Sequence, residues 1–412
     1  MYENFQKKEK LITVAVAISD AEKVMESLDE LDELIATAGG EVIGRIIQNR
    51  EQIHSGTYVG KGKLDEIREM LAELGADGIV CDDELSPVQM KNLEDALDTK
   101  VMDRTLIILD IFAKRAVTRE GKVQVELAQL RYHATRLIGM RNLSRLGGGI
   151  GTRGPGEKKL EVDRRLIKER ISKLRQEVRD MENHREVTRS ARERQAVPVV
   201  AIVGYTNAGK STLLNTLTDA DVLEEDKLFA TLDPTSRNLK LSDGQEIILT
   251  DTVGFIRKLP HHLIDAFRST LEESKYADIL IHVVDCSNPQ MEEQMHLVYE
   301  TLNKLGVGNK PIITVFNKID LLDEERSFKD FSADVSVQAS IKNRIGLDAL
   351  EHELQEILRR QSIYIEKTFG YDEAGKISFI RKYGQLLKEE YRDAGIYVEA
   401  YISAEHYGKL IQ

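Results

Sequence analysis

The sequence predicts an α/β protein whose largest part is a P-loop domain built on a mostly parallel sheet. Three observations carry that expectation. Apolar, β-branched runs alternate with amphipathic segments over 11–117 and again over 197–360, the rhythm of parallel strands covered by helices. The stretch between them, 122–195, instead shows apolar spacings of three and four residues. One strand-like run, 199–203, leads directly into Gly204-Tyr205-Thr206-Asn207-Ala208-Gly209-Lys210-Ser211-Thr212. That is G-x-x-x-x-G-K-S between a strand and a helix, where glycines let main-chain N–H groups curl round phosphates.

Four parts are expected in order: an N-terminal α/β domain over 1–121, a helical hairpin over 122–195, the P-loop domain over 196–361, and a small α/β module over 362–412. In the first part, 11–18 and 41–48 read as strands flanking a helix over 20–38 that Gly39 and Gly40 stop. A helix over 63–74 ends at Gly75, and 78–81 is a short buried strand. Ser86 and Pro87 open the next helix, serine as N-cap and proline at the first helical position. A strand over 101–103 and a helix over 105–116 complete the domain.

The hairpin is read from two seams. One runs through Val123, Leu127, Leu130, Ala134 and Leu137, the other through Leu160, Ile167, Ile171, Leu174, Val178 and Met181. Between them 147–157 is rich in glycine and is expected to be a non-helical tip, making the pair antiparallel. The polar stretch 182–195 is read as a connection. In the P-loop domain, apolar strands are expected at 198–203, 247–250, 279–284 and 312–316, with ligands at their carboxyl ends. In the last module 377–394 reads as a helix and 396–402 as a strand.

Composition narrows the class. The chain has 412 residues, 41% of them hydrophobic and 31% charged, with a net charge of −12, which fits a packed protein and not a disordered one. The charge is uneven: 131–194 holds 18 Lys/Arg against 9 Asp/Glu, so one basic surface for an acidic partner is expected on an acidic body. Cys81 and Cys286, the only cysteines, offer no disulfide framework and suit a reducing cytosol. The start of the chain has no apolar signal region, and no apolar run reaches membrane-spanning length. The expectation is a cytoplasmic protein, monomeric when free and able to meet a membrane only at its surface. Asp82, Asp83 and Glu84 read as a plain acidic loop, and the adjacent His261 and His262 as part of a solvated loop.

The base is read away from the P-loop. Asn317-Lys318-Ile319-Asp320 follows the strand 312–316. A carboxylate at Asp320 can accept from both N1–H and the exocyclic amine of guanine, a pair that adenine does not offer. Asn317 would brace the loop, and the stem of Lys318 would lie along the base. Asp251-Thr252-Val253-Gly254 follows the strand 247–250. This D-x-x-G sets Asp251 near Mg²⁺ through water and offers the Gly254 N–H to a γ-phosphate. Ser211 would ligate Mg²⁺ directly, and Lys210 would reach the β- and γ-phosphates. In Phe229-Ala230-Thr231-Leu232-Asp233-Pro234-Thr235, Thr231 is the candidate to complete the Mg²⁺ shell, with Thr235 as alternate. Ser340-Ile341-Lys342 stands where a base-backing S-A-K loop belongs, with isoleucine in place of alanine.

In this order the motifs resemble the TRAFAC-class GTPases, and more closely the HflX family. The closer resemblance rests on G-Y-T-N-A-G-K-S-T at Gly204–Thr212, F-A-T-L-D-P-T at Phe229–Thr235, D-T-V-G-F-I at Asp251–Ile256 and the G-G-x-G-T-R-G-P-G-E loop at Gly148–Glu157. It implies a GTPase that binds GTP and GDP, associates with the 50S subunit and its 23S rRNA, and separates stalled or hibernating ribosomes. A large-subunit assembly GTPase and an RNA-remodelling chaperone timed by GTP remain open beside it. Phe255 stands where Ras-like enzymes carry a water-positioning glutamine, so slow intrinsic hydrolysis is expected. Asn207 resembles the asparagine of GTPases that bind K⁺ beside the phosphates; capping of a turn is the equal alternative. Arg145 and Arg153, flanking the glycine-rich tip, are the candidate RNA contacts.

Overall fold

In the computed structural model, residues 8–18, 21–146, 155–193, 197–218, 228–229, 232–259, 273–324 and 326–411 are described here. The chain divides into two compact units, one comprising Met1–Met181 with Lys227–Phe229 and Lys258–Phe267, the other Glu182–Asp226, Ala230–Arg257 and Arg268–Gln412.

The first unit opens with β1 (Lys10–Ala17), α1 (Ala21–Ala38), β2 (Glu41–Asn49), α2 (Lys61–Leu74), β3 (Gly78–Cys81), α3 (Pro87–Leu97), β4 (Lys100–Asp103) and α4 (Arg104–Arg115). The strands form one parallel sheet in the order β2-β1-β3-β4. Its core includes Ile12, Val14, Ile46, Ile67, Ile79 and Leu93. Local signals place the helix ends. Ser86 accepts from the Gln89 N–H, and Gln89 returns the bond to the Ser86 N–H, a capping box with proline at the helix start. Gly75 takes the left-handed conformation that ends α2.

The acidic loop after β3 differs from the expectation. Asp82 is only 1% exposed and pairs with the equally buried Arg104 at 2.8 Å, while Ser27 donates to its other oxygen. An acid at the carboxyl end of a central strand meets a buried guanidinium here, and the sequence alone does not reveal that partner.

Two long helices follow, α5 (Arg119–Leu146) and α6 (Pro155–Glu193). Arg119 pairs with Glu177 and Glu126 with Arg170, both at 2.7 Å. Partners rise on one helix as they fall on the other, so the pair is antiparallel. Val123, Leu127 and Leu174 are buried between them, with Leu130, Ile171, Val178 and Met181 alongside. Two corrections arise. Pro155, Gly156 and Glu157 are helical, because proline suits the first helical position, where no N–H is needed. The stretch expected as a connection continues as helix to Glu193, since no glycine or proline interrupts it. The expected tip, with Arg153, lies outside the described residues over 147–154, and Arg145 lies on α5.

The second unit holds β5 (Val199–Gly204), α7 (Lys210–Thr218), β6 (Thr235–Lys240), β7 (Glu246–Asp251), β8 (Ile279–Asp285), α8 (Met291–Lys304), β9 (Ile312–Asn317), β10 (Val335–Gln338) and α9 (Leu347–Arg360). The sheet order is β10-β9-β8-β5-β7-β6, with only β6 antiparallel. Buried Val200, Ile202, Leu213, Ile281, Val283 and Ile313 belong to its core. The four expected strands are present, and β6 and β10 add to them.

The same unit ends with β11 (Ser362–Phe369), α10 (Ala374–Tyr383), β12 (Gly384–Arg392), β13 (Gly395–Ser403) and α11 (Ala404–Ile411). The strands make an antiparallel sheet, β11-β13-β12. The helix expected over 377–394 therefore stops at Tyr383. Gly384 is extended, and a Cβ there would come within 2.7 Å of the Tyr401 carbonyl oxygen. Pairing with β13 overrides the helix preference of Leu, Lys, Glu and Arg that follow.

Candidate nucleotide site

The site is assembled at the carboxyl ends of β5, β7 and β9. β5 delivers the chain into the P-loop, and α7 begins at Lys210. Gly204 has φ of +153°, and a Cβ there would come within 2.2 Å of the Val283 carbonyl oxygen. Only glycine allows the turn to lie so close to β8. Gly209, at φ +102°, backs onto the amide nitrogen of Asn317 in the same way. Asn207 has φ of +61°, a left-handed conformation that asparagine tolerates, and it is exposed.

Lys210 lies at the start of α7 and is 7% exposed. Its ammonium donates to the Tyr205 carbonyl oxygen at 2.6 Å, and burial pushes its pKa down to about 8. Ser211, next in α7, donates to an Asp251 carboxylate oxygen at 2.7 Å. Asp251 and Thr252 are buried at the end of β7, and the Thr252 hydroxyl donates to the Ile202 carbonyl oxygen. Val253 is buried as well. A Cβ on Gly254 would meet the Thr206 Cα and the Lys210 ammonium, both at 2.9 Å. The peptide of Gly254 thus lies against the P-loop lysine. Thr206 and Ala208 are buried, and the Thr206 hydroxyl has no hydrogen-bond partner among the described residues. Phe255 is 2% exposed and belongs to the interior.

The second set of loops is joined to the first by one side chain. The Asn317 amide donates to the Ala208 carbonyl oxygen at 2.9 Å and accepts from the Ile341 N–H at 3.0 Å. It therefore braces both the P-loop and the Ser340–Lys342 segment. The Ser340 hydroxyl donates to Asp320 at 2.5 Å. Lys318 is left-handed, at φ +68°, and its ammonium pairs with Asp285 at 2.7 Å. Ile319 opens a short 3₁₀ turn that contains Asp320. Ile341, in place of alanine, is 1% exposed and packs into the core of the sheet domain, while Lys342 is exposed.

The structure thus brings 204–212, 251–254, 317–320 and 340–342 together. Ala230 and Thr231 lie outside the described residues; of their neighbours, Phe229 and Leu232 are buried and Asp233 half-buried. His261 and His262 lie outside as well. Cys81 and Cys286 are free and buried. Asp285, the partner of Lys318, escapes the sequence reading; its signal is an acid directly after the apolar run 279–284. The Ser211 hydroxyl and the Asp251 carboxylate are hard oxygen donors in contact beside a phosphate-binding loop, and they suit Mg²⁺. Among the described residues no helix is long and apolar enough to cross a membrane.

Three family descriptions match the chain in sequence: "GTP-binding GTPase N-terminal" over residues 25–113, "GTP-binding GTPase Middle Region" over 115–192 and "50S ribosome-binding GTPase" over 199–318. GTPase HflX of Lacrimispora saccharolytica is 64% identical over 98% of this chain and 95% of its own length. GTPase HflX of Caldanaerobacter subterraneus is 50% identical over 98% and 94%, and that of Escherichia coli is 45% identical over 79% and 76%.

Proposed function

The chain belongs to the GTPase HflX family, and from that premise we propose that it binds the large ribosomal subunit when GTP is bound and separates stalled or hibernating 70S ribosomes, hydrolysis driving release. The observation that supports this most directly is the bracing of the P-loop and the base-reading loops by one buried amide, Asn317. Nucleotide occupancy and the shape of this surface are then one variable.

In this reading Lys210 holds the β- and γ-phosphates, the Gly254 N–H meets the γ-phosphate, and Asp320 accepts from guanine while Ser340 backs it. Mg²⁺, which GTPases of this class generally use, would neutralise phosphate charge while held by Ser211 and Thr231 directly and by Asp251 through water. Lys210, Thr231 and Gly254 are the groups that act on the transferred phosphate. Phe255 offers the attacking water no hydrogen bond, so intrinsic turnover is slow and the ribosome stimulates it. Asn207, with its exposed amide, would hold K⁺ where an arginine finger would otherwise stand. Arg145 and Arg153 contact 23S rRNA in the docked state. The free protein acts as a cytoplasmic monomer, organised as 1–121, 122–195, 196–361 and 362–412.

The test is sedimentation of purified 70S ribosomes with the protein and GTP, and separately with GDP. Conversion to free subunits with GTP alone is expected. Binding confined to immature large-subunit particles would overturn the reading and favour an assembly role.

A further inference from the structure

The P-loop and the segment after β7 are joined by more than their shared strand pairing. The Phe255 N–H donates to the Gly204 carbonyl oxygen at 3.1 Å, and the Thr206 N–H donates to the Phe255 carbonyl oxygen at 2.8 Å. Tyr205 and Phe255 therefore form a short parallel bridge. Two residues on, the Arg257 N–H donates to the Tyr205 hydroxyl at 2.9 Å. The main-chain bridge fixes the segment at Phe255; the Tyr205 hydroxyl fixes it again at Arg257. Gly254 lies immediately before this clamp, within reach of the Lys210 ammonium.

Tyr205 occupies both sides of the arrangement. Its carbonyl oxygen accepts from Lys210, while its hydroxyl, on a residue only 5% exposed, accepts from the Arg257 N–H, three residues past Gly254. The half-buried Arg257 N–H loses this acceptor if the hydroxyl is removed, since a phenyl ring offers none. The two ends of the residue thus tie the phosphate-binding lysine to the segment that reads the γ-phosphate. The Arg257 side chain leaves in another direction, to Glu293 of α8 at 2.6 Å.

We propose that the Tyr205 hydroxyl is a positioning group for GTP hydrolysis, holding the chain at Arg257 so that the Gly254 peptide keeps its place against the γ-phosphate. This rests on the reading that Gly254 meets that phosphate. Tyr205 touches no reacting atom; it acts through Gly254. The consequence is selective. Diphosphate binding uses the P-loop main chain and the base loops, so it does not depend on this hydroxyl. Triphosphate binding and turnover do.

The experiment measures affinities for GDP and for a non-hydrolysable GTP analogue, together with kcat and KM for GTP, in the wild type, Tyr205→Phe, Glu293→Gln and Gly254→Ala. Losing the hydrogen bond to the Arg257 N–H in Tyr205→Phe should lower analogue affinity and kcat by about tenfold while GDP affinity stays within about twofold. Glu293→Gln, which removes the charge paired with the Arg257 side chain and leaves the Tyr205 hydroxyl in place, should behave as the wild type. Gly254→Ala should lose the preference for triphosphate. If Gly254→Ala keeps that preference, the γ-phosphate reading falls and takes the proposal with it. If Gly254→Ala loses it while Tyr205→Phe matches the wild type, the proposal alone is overturned. Equal losses for GDP and the analogue in Tyr205→Phe would also overturn it, since they would mark a general packing role.

Discussion

Asp82 shows what a single buried charge does in this protein. Burial alone would raise its carboxyl pKa, but the Arg104 guanidinium and the Lys258 ammonium outweigh it and hold the pKa below the usual carboxylate value. A depressed pKa in the folded state means stabilisation that is present above about pH 4 and lost as pH falls through the folded value. Asp82→Asn keeps the shape and removes the charge, leaving Arg104 undercompensated. The expected cost is about 3–5 kcal/mol, read as a fall in the urea midpoint at pH 7, with the difference from wild type shrinking as pH drops below about 4. A midpoint unchanged at pH 7 would contradict the account. Asn207 poses a different question, because its φ of +61° gives the backbone its own reason for asparagine. Asn207→Gly removes the amide without strain. If the amide holds K⁺, wild-type turnover should slow when Na⁺ replaces K⁺, and the variant should show no such difference. Equal wild-type rates in the two salts would leave Asn207 as a turn residue.

Among the elements, the helix pair illustrates why some structure is legible and some is not. The seams at Val123, Leu127 and Leu130 and at Ile171, Leu174, Val178 and Met181 pack together, because spacings of three and four residues put one face toward a partner whatever the rest of the chain does. Leu174 is 1% exposed, so Leu174→Ala should cost about 2–5 kcal/mol. GTP affinity should be unchanged, and a titration showing a comparable loss would mean that the pair supports the nucleotide site. β12 is the opposite case. Leu386, Lys388, Glu389 and Glu390 all favour helix, and only pairing with β13 makes them a strand. β6 is hidden for a related reason: Thr-Ser-Arg-Asn-Leu-Lys at a sheet edge carries almost no apolar alternation. At the site, the glycines and the N-K-x-D loop can be read directly because phosphate and base demand those residue types. Asp285 and the Tyr205 hydroxyl acquire their contacts only through tertiary placement.

For the whole molecule the relevant quantity is the distribution of charge. A chain of net −12 carries 18 basic and 9 acidic residues over 131–194, and in the proposed docking this basic stretch would offset repulsion between the acidic body and rRNA. Removing a phosphate contact should weaken binding and flatten its salt dependence. Arg153→Ala is expected to do both to 50S binding in the GTP state while nucleotide affinity stays constant. Identical salt slopes for variant and wild type would remove Arg153 as an RNA contact. The central claim is that the nucleotide held by the 204–212, 251–254 and 317–320 loops controls docking on the large subunit. Asp320→Asn tests it most directly, because an amide mismatches guanine and can donate to the extra carbonyl of xanthine, at about 1–3 kcal/mol per mismatched group. The measurement is cosedimentation of this variant with 50S subunits in the presence of non-hydrolysable analogues of GTP or of xanthosine triphosphate. Binding with the xanthosine analogue and little with the guanosine one, the reverse of wild type, is expected. Equal 50S binding with both analogues, or without nucleotide, would contradict it.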